Sequence, residues 1–214
     1  MTEALGLRVE VDNDANLGAS GEWMWGAGRG CTELAYLKLA TGIGAGLILG
    51  GRPFKGAGGT AGEIGHTMVD PSGPICRCGN RGCLEMLAGA GAVLDALRPT
   101  HGNGLTVKDV IALASDGDPG CCRALADAGH IIGGAASILC NLINPQRIVV
   151  GGEMAAAGEV LLGPLRESLE RSAIRSAAQD VQVVQGSLGD KAEVLGAVAL
   201  ALHPTGQPRV ATAV

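Results

Sequence analysis

The stretch GEIGHTMVDPSGPICRCGNRGCLE, residues 62–85, decides how the rest of this chain is read. It gathers three cysteines, one histidine and two glutamates into a run rich in glycine and proline. Cys76 and Cys78 are separated by one residue, Cys83 follows after four more, and His66 lies ten positions before Cys76. Such a loop can fold back and present three thiolates and one imidazole as a tetrahedral set, and zinc is the metal that suits those ligands. Free thiols are often just small buried hydrophobes. That reading fits poorly here, because Arg77, Gly79, Asn80, Arg81 and Gly82 are polar or turn-forming and show no apolar period that would draw the sulfurs into a core. The spacing is not that of a zinc finger, so a structural zinc on His66, Cys76, Cys78 and Cys83 rests on the ligand set and its turn-rich setting.

The composition around this loop is globular. A chain of 214 residues can bury one large core or two modest lobes. Hydrophobic residues make up 47% but aromatics only 2%, with 36 glycines, so the core has to be built from Ala, Val, Leu and Ile with close backbone approach. A net charge of -5 and no Lys/Arg cluster argue against a grip on a nucleic-acid backbone, so any contact with DNA belongs to another segment. The first residues show no basic region followed by an apolar run, and no apolar stretch reads as long enough to span a bilayer. The chain is expected to be soluble and cytoplasmic, with no membrane partner. Cys31, Cys121, Cys122 and Cys140 lie in apolar or helical surroundings and read as packed thiols rather than disulfides.

Taken in order, the pattern is α/β. Residues 7–11 alternate apolar and charged side chains as a strand does, and Asp12-Asn13-Asp14-Ala15-Asn16 then opens a helix carrying Glu22, Trp23 and Trp25. The Asp and Asn residues either cap that helix or belong to a site, since their number exceeds what a cap needs. Residues 33–40 and 45–49 read as paired strands joined by Thr41-Gly42-Ile43-Gly44, which is a plain turn or a cradle whose amides can approach an anion. Residues 50–53 are a turn cluster. Helices are expected from residue 84 to near Pro99, over 106–115 with Thr106 as cap, over 121–143, over 158–173 and over 192–202. Between them, residues 116–119 break the pattern, and Gly129, Gly133 and Gly134 permit close packing of the long helix. Residues 147–150 read as a buried parallel strand ending in Gly151-Gly152, and 181–184 as another strand. Glycines at the carboxyl end of such a strand are either a simple turn or the place where ligands lodge in open α/β sheets. From His203 onward a proline-containing tail is expected to fray.

Four motifs in this order, Asn13-Asp14-Ala15-Asn16, Thr41-Gly42-Ile43-Gly44-Ala45-Gly46, Gly62-Glu63-Ile64-Gly65-His66 and the run CRCGNRGCLE at 76–85, closely resemble the ROK family of sugar kinases and sugar-responsive transcriptional repressors. The resemblance covers nearly the whole chain. It implies an actin-like, ribonuclease-H-like ATPase fold, mainly the second lobe, with a sugar between two lobes and zinc stiffening the loop that holds it. By matching position, Asn13, Asp14, Glu63, His66 and Glu85 would contact sugar hydroxyls, and their amide, carboxylate and imidazole groups can accept from or donate to such hydroxyls.

In kinases of the family the residue matching Asp14 is the general base that takes the sugar proton during attack on ATP. Thr41, Gly42, Gly44 and Gly46 would cradle phosphates, Gly151 and Gly152 would lie near adenosine, and magnesium would neutralise the transferring charge. Family members carry a leading lobe with an Asp-x-Gly-Gly-Thr phosphate loop well before the Asn-Asp-Ala-Asn motif, which here arrives at Asn13. The expected organisation is a ROK sugar-binding domain over residues 1–204, largely without that lobe, and a flexible tail over 205–214. The wording of residues 76–89, 139–145 and 148–153 is closer to the regulators. The resemblance therefore implies the sugar-binding effector domain of a repressor whose DNA reader lies elsewhere. The alternative is an ATP-dependent, glucokinase-like sugar kinase. Members of the family usually assemble, so a homo-oligomer is expected.

Overall fold

The computed structural model describes residues 6, 7 and 9–202, so the tail expected over 205–214 lies outside the described residues. Five strands form one mixed sheet in the order β3-β2-β1-β4-β5. β1 (Leu34–Leu39), β2 (Ile43–Leu49) and β3 (Arg52–Phe54) are an antiparallel meander, and β4 (Arg147–Gly151) and β5 (Gln182–Gln185) continue the sheet parallel to β1. The helices are α1 (Asp14–Trp25), α2 (Leu84–Ala88), α3 (Ala90–His101), α4 (Val107–Ser115), α5 (Pro119–Ile143), α6 (Glu159–Ser172), α7 (Arg175–Ala178) and α8 (Ala192–Leu202).

Strand alternation divides the core. Ala35, Leu37 and Leu39 of β1 join one buried cluster with Ile148, Val150, Leu125, Ile132 and Leu165, under the layer of α2 to α7. Leu34 and Tyr36 point the other way, into a smaller cluster with Ala19, Trp23 and Val149 beneath α1. Lys38 shares that second parity, so its side chain rises toward α1 and α8. With both faces covered, β4 reads as an unbroken apolar run, as parallel strands do.

The long helix α5 corrects one expectation. Its 25 residues have the length and apolarity of a membrane span, although no stretch was expected to be long enough. Here it is a core helix, with Leu125, Ile132, Ala135, Ala136 and Cys140 buried against the sheet and α6. Asp118 caps it, with Pro119 at its first turn, so the proline once read as part of a break starts the helix instead. Asn144, left-handed at φ 44°, closes it. A side chain at Gly129 or Gly133 would put Cβ 2.4 Å from the Leu161 carbonyl oxygen or 2.2 Å from that of Leu165, which is why α6 can lie so close.

Other differences from the expected elements have local causes. Of the strand expected over residues 7–11, the described residues lie off the sheet and join no strand, and Val11 is exposed. The helix expected from residue 84 is broken at Gly89, whose extended backbone lets Ala90 N donate to Ala40 O at 3.1 Å. A Cβ at Gly89 would meet Glu85 O at 2.5 Å. Pro99 lies inside α3 rather than ending it, β3 occupies part of the expected turn cluster, and the short α7 has no periodic signal. Thr106 caps α4 as expected, in a reciprocal box with Asp109. All seven cysteines are free.

The glycine contact is testable. Gly133→Ala is expected to cost about 2 kcal/mol or more in urea denaturation, because backbone must move. Gly134→Ala, where the nearest atom is Ser168 Oγ at 3.7 Å, is expected to be neutral or to stabilise by up to about 1 kcal/mol.

Candidate functional site

The start of α1 shows which groups the cap uses and which it leaves open. Asn13 Oδ1 accepts from Ala15 N at 2.8 Å, while Asp12 Oδ1 accepts from Asn16 Nδ2 and from Asn13 N at 2.9 Å. Lys55 Nζ lies 2.7 Å from the other oxygen of Asp12. Burial works against the Asp12 carboxylate, yet the bonds from Lys55, Asn16 and the Asn13 amide outweigh it and hold its pKa below the usual range. Capping therefore occupies Asp12 and the Asn13 carbonyl, and Asp14 is left facing outward with its side chain 62% exposed.

The hairpin turn faces the same way. Leu39 pairs with Ile43, so the loop is only Ala40-Thr41-Gly42, shorter than expected, and Ala40 N donates to Gly42 O at 3.1 Å. Asn13, Asp14, Thr41, Gly42, Gly44, Glu63, His66 and Glu85 all line one cavity of about 310 Å³. Gly46 does not reach it. It lies under α1, where a Cβ would come 2.3 Å from Ala15 O. Gly151 and Gly152 line a separate cavity of about 340 Å³, together with Glu153, Gly186, Gly189 and Lys108. Because Lys38 pairs with Gly151 across β1 and β4, both cavities sit at the carboxyl edge of the parallel strands.

Two residues of the first cavity had been read as part of their surroundings. Lys38 Nζ lies 2.8 Å from Asp14 Oδ2 and 2.8 Å from Glu193 Oε1 at the start of α8. Burial works against its ammonium, but the two carboxylates prevail and raise its pKa. The signal was one charge inside the otherwise apolar run LAYLKL. Arg77, which stands between two cysteines and was read as a loop residue, covers Glu85 with Nε 3.4 Å from Oε1 and Nη2 3.4 Å from Oε2. In the second cavity Glu22 is 1% exposed and accepts from Ala27 N at 2.7 Å and Leu188 N at 2.9 Å, tying α1 to the start of the segment before α8.

The cysteine loop forms the cavity's outer wall. His66, Cys76, Cys78 and Cys83 bring four ligand atoms within 4.8 Å of one another. Cys76 Sγ is 3.5 Å from His66 Nδ1, and Cys78 Sγ is 3.6 Å from Cys83 Sγ. A tetrahedral zinc, with Zn–S about 2.3 Å and Zn–N about 2.0 Å, sets ligand separations of about 3.5 to 3.8 Å. The four residues fit that ion. Burial, aided by the neighbouring thiols, pushes Cys83 up to about 12, whereas the backbone hydrogen bond at Asn80 pulls Cys78 down. Three adjacent sulfurs cannot all carry charge unaided, and a dication removes that conflict. With Nδ1 turned to the sulfurs, Nε2 of His66 is the nitrogen available to the cavity.

The mixed sheet with helices on both faces and cavities at its carboxyl edge is the actin-like ATPase fold by its likeness to solved ROK kinases and regulators. The ROK family model matches residues 1–203, and the chain belongs to the ROK family. A xylose repressor from Caldicellulosiruptor bescii is 32% identical over 209 residues, covering 92% of this chain and 52% of the repressor. A glucokinase from Halalkalibacterium halodurans is 35% identical over 211 residues, covering 92% of this chain and 64% of the kinase. The chain thus spans about half to two thirds of the length of these relatives. Among solved structures, a ROK family glucokinase from Streptomyces griseus in complex with glucose and AMPPNP superimposes with a TM-score of 0.87 at 33% identity, over 94% of this chain and 70% of that one. The family relatives are thus both sugar-linked repressors and sugar kinases.

Protein purified without added metal is expected to carry one zinc in the loop, and Cys78→Ser, at an exposed ligand, to lose most of it. Elemental analysis near zero on a folded, reduced sample would remove the metal from this loop.

Proposed function

We propose that residues 1–204 are a sugar-binding effector domain of a ROK-family transcriptional repressor. Asn13, Asp14, Glu63, His66 and Glu85 contact the sugar hydroxyls from three sides of the 310 Å³ cavity. Zinc on His66, Cys76, Cys78 and Cys83 holds the imidazole and the start of α2 in register for that contact. Contact with DNA belongs to a segment outside these residues, and the whole protein self-associates.

The observation that supports this reading is the wording of residues 76–89, 139–145 and 148–153, which is closer to the family's regulators. Lys38 Nζ sits 2.8 Å from Asp14 Oδ2 and 2.8 Å from Glu193 Oε1, and Asp14 keeps Oδ1 to accept from a sugar hydroxyl.

An ATP-dependent hexose kinase, with magnesium and Asp14 as base, is the second reading. It is favoured by the cavity of about 340 Å³ beside Gly151 and Gly152, a natural place for adenosine, and by the Thr41-Gly42 turn facing Asp14. In that reading Thr41, Gly42 and Gly44 present backbone to phosphate, and Gly46 supports them from beneath α1.

Calorimetry with a sugar panel on the full-length protein is expected to show binding, weakened by roughly 1 to 3 kcal/mol in Glu85→Ala with its zinc retained. A coupled assay with ATP and magnesium is expected to show no turnover, while the best sugar releases the protein from DNA. Turnover that vanishes in Asp14→Asn would overturn the repressor reading in favour of the kinase.

A further inference from the structure

Away from both cavities, the end of α3 meets the start of α5, and three side chains of different chemistry converge there. His101 is the last residue of α3, Asp118 caps α5, and Cys121 lies in its first turn, wholly buried. His101 Nε2 is 3.3 Å from Asp118 Oδ1 and 4.0 Å from Cys121 Sγ, and one ligand atom from each residue falls within 4.8 Å of the others.

His101 turns Nε2 toward this cluster and Nδ1 toward Thr100, whose Oγ1 lies 2.8 Å from Nδ1 and 3.2 Å from Leu97 O. With hydrogen on Nε2 the neutral ring donates to Asp118; with hydrogen on Nδ1, to which the Thr100 oxygen can accept, Nε2 presents its lone pair beside a carboxylate oxygen and a sulfur. In that second tautomer the three side chains are a donor set for a cation.

We propose that His101, Asp118 and Cys121 form a second metal site, for a borderline divalent cation such as zinc, with water in the fourth position. A tetrahedral zinc with these donors sets separations of about 3.3 to 3.6 Å. The imidazole and carboxylate already meet that distance, and the thiol has to close by a few tenths of an ångström. Gly120 keeps the space open, since a Cβ there would come 3.2 Å from His101 Cε1 and 3.3 Å from Asp118 Oδ1. The side chains of His101 and Asp118 are 20% and 28% exposed, so an ion enters from solvent and meets Cys121 at the floor. Binding breaks the Cys121 S–H bond, forms an S–metal bond and releases the proton to water. A neutral imidazole, a carboxylate and a thiolate balance a dication. The Thr100 hydroxyl orients the ring from the second shell. The ion would tie α3 to α5 across α4, whose Lys108, Ile111 and Ala112 wall the cavity beside Gly151.

The test is metal content of the intact protein after dialysis against a modest excess of zinc. Two zinc ions per chain are expected in the wild type and one in His101→Gln, with far-UV circular dichroism unchanged. Cys78→Ser should lower only the loop's share, and the double variant should lose both, which separates the two sites. Thr100→Val keeps every ligand and is expected to weaken the second ion about ten-fold. With cobalt as probe, the second equivalent is expected to add a thiolate-to-metal band that His101→Gln abolishes. One ion in the wild type, two in His101→Gln, or a second cobalt without a thiolate band overturns the proposal, leaving His101 hydrogen-bonded to Asp118.

Discussion

Everything that faces the first cavity is hung on the backbone of β2, and glycine is what lets it hang so close. On one face Gly46 brings β2 against α1, where a Cβ would sit 2.3 Å from Ala15 O and 2.6 Å from Ala19 Cβ. Along the free edge of the strand, Gly62 and Gly65 lie over the carbonyls of Ala45 and Ile43, each of which would be 2.0 Å from an added Cβ. Ala45 N donates to Gly62 O at 2.7 Å, so the segment carrying Glu63 and His66 is pinned to the strand that also ends in the Thr41 turn. A side chain at any of these positions would move one wall of the cavity relative to the others. The cost would fall on the geometry of the site as well as on stability.

The charges of the cavity follow from that closeness. Lys38 stands opposite Gly44 in the β1/β2 pair, where there is no side chain to obstruct it, and rises between Asp14 and Glu193. One ammonium thus joins the first helix to the last. Arg77 does the same for the cysteine loop, reaching Glu85 at the head of α2. Two of the acidic residues that could meet a sugar, Asp14 and Glu85, are therefore each placed by a base. The cavity keeps its shape through ion pairs, whose hydrogen bonds hold direction better than apolar contacts do.

The cysteine loop has almost no core of its own. Its order comes from isolated bridges, Met68 with Cys83 and Ile75 with Arg81, from Arg81 Nη1 donating to Gly73 O at 2.9 Å, and from the cluster of His66, Cys76, Cys78 and Cys83, which could hold a metal. Met68 and Ile75 are left exposed. A segment so poor in buried apolar surface needs another source of rigidity, and a bound ion is the usual one in small loops. The same logic applies on a smaller scale where α3 meets α5, although a long apolar helix there already supplies the packing.

Much of this was legible in the residues alone. The apolar runs 34–39 and 147–151 and the caps at Asn13 and Thr106 determine local structure through short-range sterics and hydrogen bonding, which is why those elements stand where they were expected. The ligand set of the cysteine loop suggested a metal, and the grouping of Asn13, Asp14, Glu63, His66 and Glu85 came from family motifs rather than from any local rule. Tertiary structure alone decided the rest. The described residues of the stretch 7–11 alternate like a strand yet join no strand of the sheet, and α5 has a membrane helix's composition yet finds α6 to cover it. The role of Lys38 is not legible in the sequence because its partners, Asp14 and Glu193, lie far from it in α1 and α8, whereas Arg77 and Glu85 stand close in sequence and only the fold of the loop turns them together. Gly46 looked like part of a phosphate turn, but the parity of β2 turns it under α1, since which glycines meet ligand and which meet helix depends on the face each one presents.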